Sequence, residues 1–496
     1  MTAAAVRYAI DTHASLRCPE SFKLRCAALL ASALLSGCMS VPVPELPAQV
    51  PGAWSQAAGE GARAVDLRSW WTALDDPRLN ALVEEALRRN LDLEQSARLL
   101  QGEREVAGRW RSRYLPGFGV GARPVQDAQA KDSYFHASID MVWELGLFGA
   151  AESSRLQAGA DADLAAAREQ GLRVSVVAAV VRNYLDLGVA NGQIALLTQM
   201  AELDREAERL AQVRLNTRLG TPQDADTASV RRQRTLAALA SMRLAADRSA
   251  RALALLLGRD APDPGWSAVA PSQGLPGFAL GEVPADLLRT RPDIREAEAE
   301  VLRAAARLGM ARSALYPRLS LGGSVLYAYN MTQNHRSNNN FVPAGGPTID
   351  IPLWDWGARQ AQVKAGEQGI AAALAGYRKA VLSGVSEVEE SLSALARERE
   401  RIAALDEARR VLDRRNGSQR KLASLGLSSP YDGLEGRRAL LEAQSDVALA
   451  RGARTLAFVA LYKALGGAPL APQPQPEQQA QQQAQEQAQQ PRQVRP

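Results

Sequence analysis

Two stretches of this 496-residue chain contain no proline, Leu156 through Thr221 and Leu353 through Ser429. Both are rich in Ala, Leu, Arg, Gln and Glu, which lose little freedom on entering a helix. At 1.5 Å per residue, a run of roughly 70 residues makes a rod of about 100 Å, several times the ordinary globular helix. No compact core buries such a rod, so it must pack sideways against others. In the lower half of the first run Leu196, Leu203 and Leu210 recur in register, with Met200 and Ala207 following the first two, which is the spacing of a coiled-coil seam. Gly159, Gly171, Gly188, Gly366, Gly369 and Gly376 weaken an isolated helix but let neighbours approach closely. A wall of laterally packed helices explains them.

The two runs belong to two copies of one plan. RYLPGFGVGA (113–122) is echoed by LYPRLSLGGS (315–324), SIDMVWELGLFGA (138–150) by TIDIPLWDWGA (348–358), RLGTPQD (218–224) by SLGLSSPYD (424–432), and ALLLG (254–258) by YKALGG (462–467). A displacement of roughly 200 residues is too long for a solenoid unit. The first copy is expected to span 69–258, with a half-length helix over 74–113, a hairpin over 114–143, a long helix over 150–219 and a return helix over 224–258. The second spans 284–467, with the corresponding elements at 284–314, 316–353, 356–425 and 430–465. A Pro- and Gly-rich linker, 259–283, joins them at mid-height.

The hairpins carry period-two patterns. Leu319, Leu321, Val325, Tyr327 and Tyr329 share one face, with Ser320, Ser324 and Asn330 on the other. Phe135, Ala137, Ile139, Met141 and Trp143 alternate with His136, Ser138 and Asp140. Strands of about 10 residues, apolar on one face and ending in Trp and Tyr, fit the wall of an outer-membrane barrel. The polar stretches 123–133 and 330–339 would be its external loops. Four strands cannot close a membrane barrel, two chains give eight with a filled interior, and three give twelve with room for water. The expected architecture is therefore mainly α with a small β part: a trimeric 12-stranded barrel, four strands per chain, with the long coiled-coil helices packed side by side.

The first residues read as a lipoprotein signal peptide, 1–37, with Arg17, Lys23 and Arg25 before the apolar run AALLASALL (27–35). That run is too short to span a bilayer. Leu35-Ser36-Gly37-Cys38 matches a lipobox, which makes Cys38 the expected carrier of a diacylglycerol and an N-acyl chain. Residues 38–68 would be an extended, lipid-anchored segment. Met39 stands where an aspartate commonly retains such proteins in the inner membrane, so outer-membrane sorting is expected. All three cysteines, Cys18, Cys26 and Cys38, lie in or beside this leader, which leaves no internal disulfide. His136 and His335 are the only histidines beyond the leader, which excludes most metal and His-dependent catalytic schemes. GFGVG (117–121) departs from the GxGxxG spacing and reads as strand. The leader holds four basic and two acidic residues of a chain at formal +5, and the remaining balance is too mild for nucleic acid. Residues 468–496 form a Gln/Pro-rich tail expected to be disordered.

SWWTALDDPRLNALVEEALRRNLDL (69–93), WELGLFG (143–149) and above all VPADLLRTRPDIREAEAEV (283–301) resemble the TolC-like outer-membrane efflux proteins, in their NodT-type lipoprotein branch, over nearly the whole chain after the leader. The resemblance implies a homotrimer in outer-membrane lipid, its barrel continuous with a long periplasmic coiled-coil tunnel, that serves as exit duct for an inner-membrane efflux transporter through a periplasmic membrane-fusion adaptor. It implies no enzyme activity and no cofactor beyond the lipid on Cys38. Gly146 departs from the family, which usually has an aspartate there. The resemblance also places acids six and nine positions after the glycine of the second tip, Asp432 and Glu435 after Gly426, at the periplasmic gate. Capping explains Asp432 about as well as gating, because Ser429 is a good N-cap and Pro430 suits the first helical position. Glu435 lies beyond the first turn, where capping and the helix dipole explain it less well. The first tip has Asp226 and Ser229 at those positions, so Asp226 reads as a cap or adaptor contact. The resemblance puts adaptor docking around Gly220, Thr221, Gly426 and Leu427; a plain helix-turn-helix is the alternative. A duct for secreted protein shares this fold, and a coiled-coil lipoprotein without a pore is the reading from a different class.

Overall fold

The computed structural model describes residues 44–46, 54, 63–126, 133–272, 275, 278–279, 291–330, 341–427 and 430–470. Cys38 and residues from 471 of the tail lie outside the described residues, as do 127–132 and 331–339 of the expected external loops. The start of the tail, expected disordered from 468, is instead ordered, with Ala468 buried in the core and the Pro469 carbonyl accepting from Gln170 Nε2. Seven α-helices are described: α1 Pro77–Arg89, α2 Leu91–Gly108, α3 Ala150–Asn216, α4 Pro222–Leu256, α5 Pro292–Ser313, α6 Ala358–Ser424 and α7 Pro430–Ala464. The strands are β1 Arg63–Ala64, β2 Gly117–Gln126, β3 Ser133–Glu144, β4 Phe278–Ala279, β5 Arg318–Asn330 and β6 Phe341–Asp350. No described helix is long and apolar enough to cross a membrane.

One compact unit takes in Arg109–Gln157 and Arg303–Ile370. Its sheet runs β2-β3-β5-β6, antiparallel throughout. The register puts Phe118 opposite Met141, Val120 opposite Ile139, Ile139 opposite Val325 and Leu319 opposite Ile349. These residues share one face, since side chains alternate along each strand. Phe118, Val120, Ile139, Val325 and Ile349 are all exposed there. The other face carries Gly119, Gly121, Ser138, Asp140, Ser320, Gly322 and Ser324. Ser138 and Ser324 each donate to the Asp140 carboxylate, at 2.8 and 2.6 Å. A soluble sheet hides its apolar face; this one leaves it exposed, and mostly small or polar residues, with Val142 and Leu326 among them, occupy the other face, the alternation of a membrane barrel wall. GFGVG lies within β2, and Arg123–Gln126, expected as loop, continue that strand.

The sheet ends in tight feet. In WELGLFG, Gly146, Phe148 and Gly149 have φ of 58°, 54° and 82°. A Cβ on Gly146 would stand 2.5 Å from the Tyr114 ring, so the side chain missing at this position is replaced by Tyr114. The Tyr114 carbonyl accepts from Trp143 Nε1 (3.0 Å), and its hydroxyl meets Ser154 Oγ at 2.7 Å.

The second unit takes in Glu45–Gly108, Ala158–Leu302 and residues from Ala371 onward. Its main core joins Trp70, Trp71, Leu79, Val83, Val177, Val181, Leu253, Leu257, Phe458 and Leu461. Trp70 stacks on Tyr462 at 5.6 Å and donates to the Gly467 carbonyl at 3.0 Å. That gives the SWWTAL motif its physical task, the clamping of the far end of α7.

The first half-length helix, expected unbroken over 74–113, is interrupted. Buried Asn90 adopts an extended conformation between α1 and α2. Its Oδ1 accepts from Leu93 N–H (3.0 Å) while its Nδ2 donates to the Leu256 carbonyl (2.9 Å), so one amide serves the start of α2 and the end of α4. The glycines also divide. Gly366 meets Leu308 of α5 and Gly171 meets Pro292, whereas Gly188 admits the Ala270 carbonyl of the linker; Gly159, Gly369 and Gly376 have nothing within 4 Å among the described residues. Within the single chain, close helix approach therefore accounts for Gly171 and Gly366.

Candidate gate and docking tips

Each long helix turns at a tip, but the two tips differ in backbone. In the second, Gly426 takes the left-handed conformation (φ 73°) and Leu427 N–H reaches back to the Leu422 carbonyl at 2.9 Å, closing α6 in the usual C-terminal manner. In the first, Arg218 holds the left-handed position (φ 59°), not Gly220. The matched glycines thus have different tasks. Thr221 caps α4 in a reciprocal box: Asp224 N–H donates to Thr221 Oγ1 (3.2 Å) and Thr221 N–H to Asp224 Oδ2 (2.9 Å). The Thr221 N–H holds the Asp224 carboxyl below its ordinary range. The cap acid is therefore Asp224, and Asp226, expected as a cap or adaptor contact, is an exposed side chain two residues further on. Leu427 is 72% exposed, and Leu219 and Leu425 are exposed beside the same turns.

Beyond the turns the helices interlock. Leu203 and Ala207 of the predicted seam pack with Leu434 of α7. Between them sits Asp204, 1% exposed. It accepts from Thr235 Oγ1 of α4 at 2.6 Å and from Arg438 Nη1 of α7 at 2.7 and 2.6 Å. Arg438 also reaches Glu442 at 3.1 Å. Glu208 of α3 pairs with Arg232 of α4 at 2.8 Å, and that guanidinium holds the Glu208 carboxyl low.

Glu435 projects from α7 into an ion pair with Arg231 of α4. The pair stands in a groove of about 630 Å³ between α4 and α7, lined by Asp226, Arg231, Arg234, Glu435, Arg438 and Glu442. Asp432 is the third residue of α7; its side chain and Ser429 lie outside the described residues. Gly436, next to Glu435, leaves room for buried Asn416 of α6, whose Oδ1 would stand 3.4 Å from a Cβ there. The sequence did not point to Asp204, Thr235, Arg231 or Arg438. Their one local signal is a carboxylate directly beside a seam leucine.

The profile of the outer membrane efflux protein family matches residues 82–259 and 283–467. Nodulation protein T of Rhizobium leguminosarum bv. viciae is 27% identical over 475 residues, covering 92% of this chain and 95% of its own. The toluene efflux pump outer membrane protein TtgI of Pseudomonas putida is 28% identical over 475 residues, covering 90% of this chain and 98% of its own. Among solved structures, the outer-membrane channel OprN is 26% identical with a TM-score of 0.70, covering 87% of this chain and 100% of that one. With its exposed apolar sheet face, paired long helices and two matched copies, the chain belongs to the outer membrane efflux protein family.

Proposed function

We propose that this outer membrane efflux protein is the passive exit duct of a tripartite pump, taking small molecules from an inner-membrane transporter through a periplasmic adaptor to the outside. One observation carries the reading: a four-stranded sheet, with an exposed apolar face and open at both edges, stands on the same chain as two 67-residue helices. Such a sheet is complete only in an assembly, and three copies supply twelve strands around a water-filled lumen. The protein acts as a homotrimer without enzymatic chemistry, energy coming from the transporter. Cys38 carries the diacylglycerol and N-acyl groups that add a lipid anchor to the barrel.

The gate lies at the second tip, with Asp432 and Glu435. The contact with Arg231 refines its physics: a carboxylate held by a guanidinium adds little net charge to a ring of acids. In this reading Glu435 restrains α7 against α4, and widening the tip requires the two to part. The adaptor docks at Gly220, Thr221, Asp226, Gly426 and Leu427, where exposed Leu219, Leu425 and Leu427 offer apolar contact and the adjoining groove offers charges of both signs. Planar-bilayer recording of the purified protein tests the duct and gate together. The wild type should conduct weakly, and Asp432→Ala with Glu435→Ala should raise resting conductance. A nonconducting, monomeric protein overturns the duct. Unchanged conductance at normal trimer yield leaves Asp432 as a cap and Glu435 as a structural ion-pair partner of Arg231.

A further inference from the structure

We propose that the open edges of the sheet join between neighbouring copies in one defined register, with Ile351 opposite Val120 of the next copy and Trp356 seated on its Leu115. This rests on the homotrimer reading and names the seam that the reading leaves open.

The template is inside the chain. The two sequence copies meet at β3 and β5, where Trp143 stands opposite Leu321 and Met141 opposite Gly323. Below them Leu145 N–H donates to the Leu319 carbonyl at 3.2 Å, and the Phe148 ring stacks on Tyr316 at 5.1 Å and 14°. The feet and the hairpin registers fix the correspondence between the copies, setting β2 against β5 one residue off the sequence echo of 113–122 and 315–324. Phe118 opposite Met141 in the first hairpin matches Leu319 opposite Ile349 in the second. Phe148-Gly149, with φ of 54° and 82°, match Trp356-Gly357, with φ of 58° and 82°. Transferring the internal junction accordingly, from β3 to β6 and from β5 to β2, places Ile351 opposite Val120, Ile349 opposite Ala122, Leu353 N–H on the Phe118 carbonyl, and Trp356 on Leu115.

Every large apolar residue that this transfer pairs is exposed in the single chain. Trp356 is 89% exposed, Val120 83% and Leu115 58%, and Leu353, Ile349, Ile351 and Phe118 are exposed with them. Their internal counterparts Phe148 and Trp143 are half-buried. The sizes also compensate. Inside the chain a Phe packs on a Tyr; at the seam the larger Trp meets the smaller Leu. Lipid would accept any apolar side chain at these places, whereas a large residue matched by a small one across opposite edges suits a second copy. Apart from Pro124, Pro343 and Pro347, which have no N–H, the unpaired edge strands moreover carry free N–H and C=O groups, which only another strand satisfies within a membrane.

Cysteine pairs read the register directly. Residues directly opposite have Cβ atoms about 4.5–5.5 Å apart and diagonal neighbours about 7–8 Å, and a disulfide needs roughly 3.5–4.5 Å. Mild oxidation of Val120→Cys with Ile351→Cys should give disulfide-linked trimers on denaturing gels. The parent chain, with its own cysteines, either single variant, and Val120→Cys with Leu353→Cys should not. Cross-linking favouring the shifted pair, or absent from a protein that still runs as a heat-modifiable trimer, overturns the seam and leaves the duct standing; a monomeric parent overturns both. Trp356→Ala should lower the temperature at which the trimer dissociates, and Trp356→Phe with Leu115→Tyr, which imports the internal pair, should restore it. An unchanged dissociation temperature in Trp356→Ala overturns the aromatic contact.

Discussion

Asp204 receives a hydroxyl from one helix and a guanidinium from another while almost fully enclosed. A buried carboxylate is costly unless paired, so its partner is the more sensitive of the two to remove. Arg438→Ala should lower stability by about 3–5 kcal/mol, the range for breaking a buried pair, read as a fall in the melting temperature of the detergent-extracted protein. Asp204→Ala combined with Arg438→Met should fall less, because no charge is left unpaired. Sequence reading could not reach this pair. Asp204 directly follows Leu203 of the seam, a flank that stays wet in a two-helix coil; here α4 and α7 both cover it. Glu435 is similar: its offset from Gly426 was legible, its contact with Arg231, 204 residues away, was not.

At the scale of elements, local pattern carried further. Proline-free runs, period-two strands and the tip motifs marked the long helices and hairpins to within a few residues. The exceptions have physical causes. Asn90 breaks the first half-length helix because its amide is needed by two helix ends at once, and Gly258 (φ 66°) lets the end of α4 lie against the Arg89 carbonyl. Beside this junction Glu85 pairs with Arg259 at 2.6 Å. The Arg259 hydrogen bond holds the Glu85 carboxyl below its ordinary 4.5. A carboxyl lowered in the folded state stabilises fully above its unfolded value and loses that contribution as pH falls through the folded one. Thermal stability should therefore drop as pH is taken below about 4.5, with Glu208 and Asp224 adding in the same direction. Arg259→Ala should be less stable at neutral pH and flatter across this range in melting followed by circular dichroism.

For the whole molecule, the proposed lipid on Cys38 would be a second hold on the outer membrane, separate from the barrel. Cys38→Ala should abolish labelling by palmitate while the protein still fractionates with the outer membrane, held by its sheet. Loss from that fraction would make the lipid the principal anchor.

From the sequence by itself came the mainly α composition, the two copies, the four strands and the likeness to efflux ducts, because periodicity and capping are local and a repeated motif is visible at any separation. Only the structure showed that Arg218 turns the first tip and that Asp224, not Asp226, is its cap, and only tertiary packing decided that Glu435 and Asp204 are held by arginines of other helices. Those ion pairs join residues far apart in the chain, and no local pattern states which face of one rod will meet which face of another.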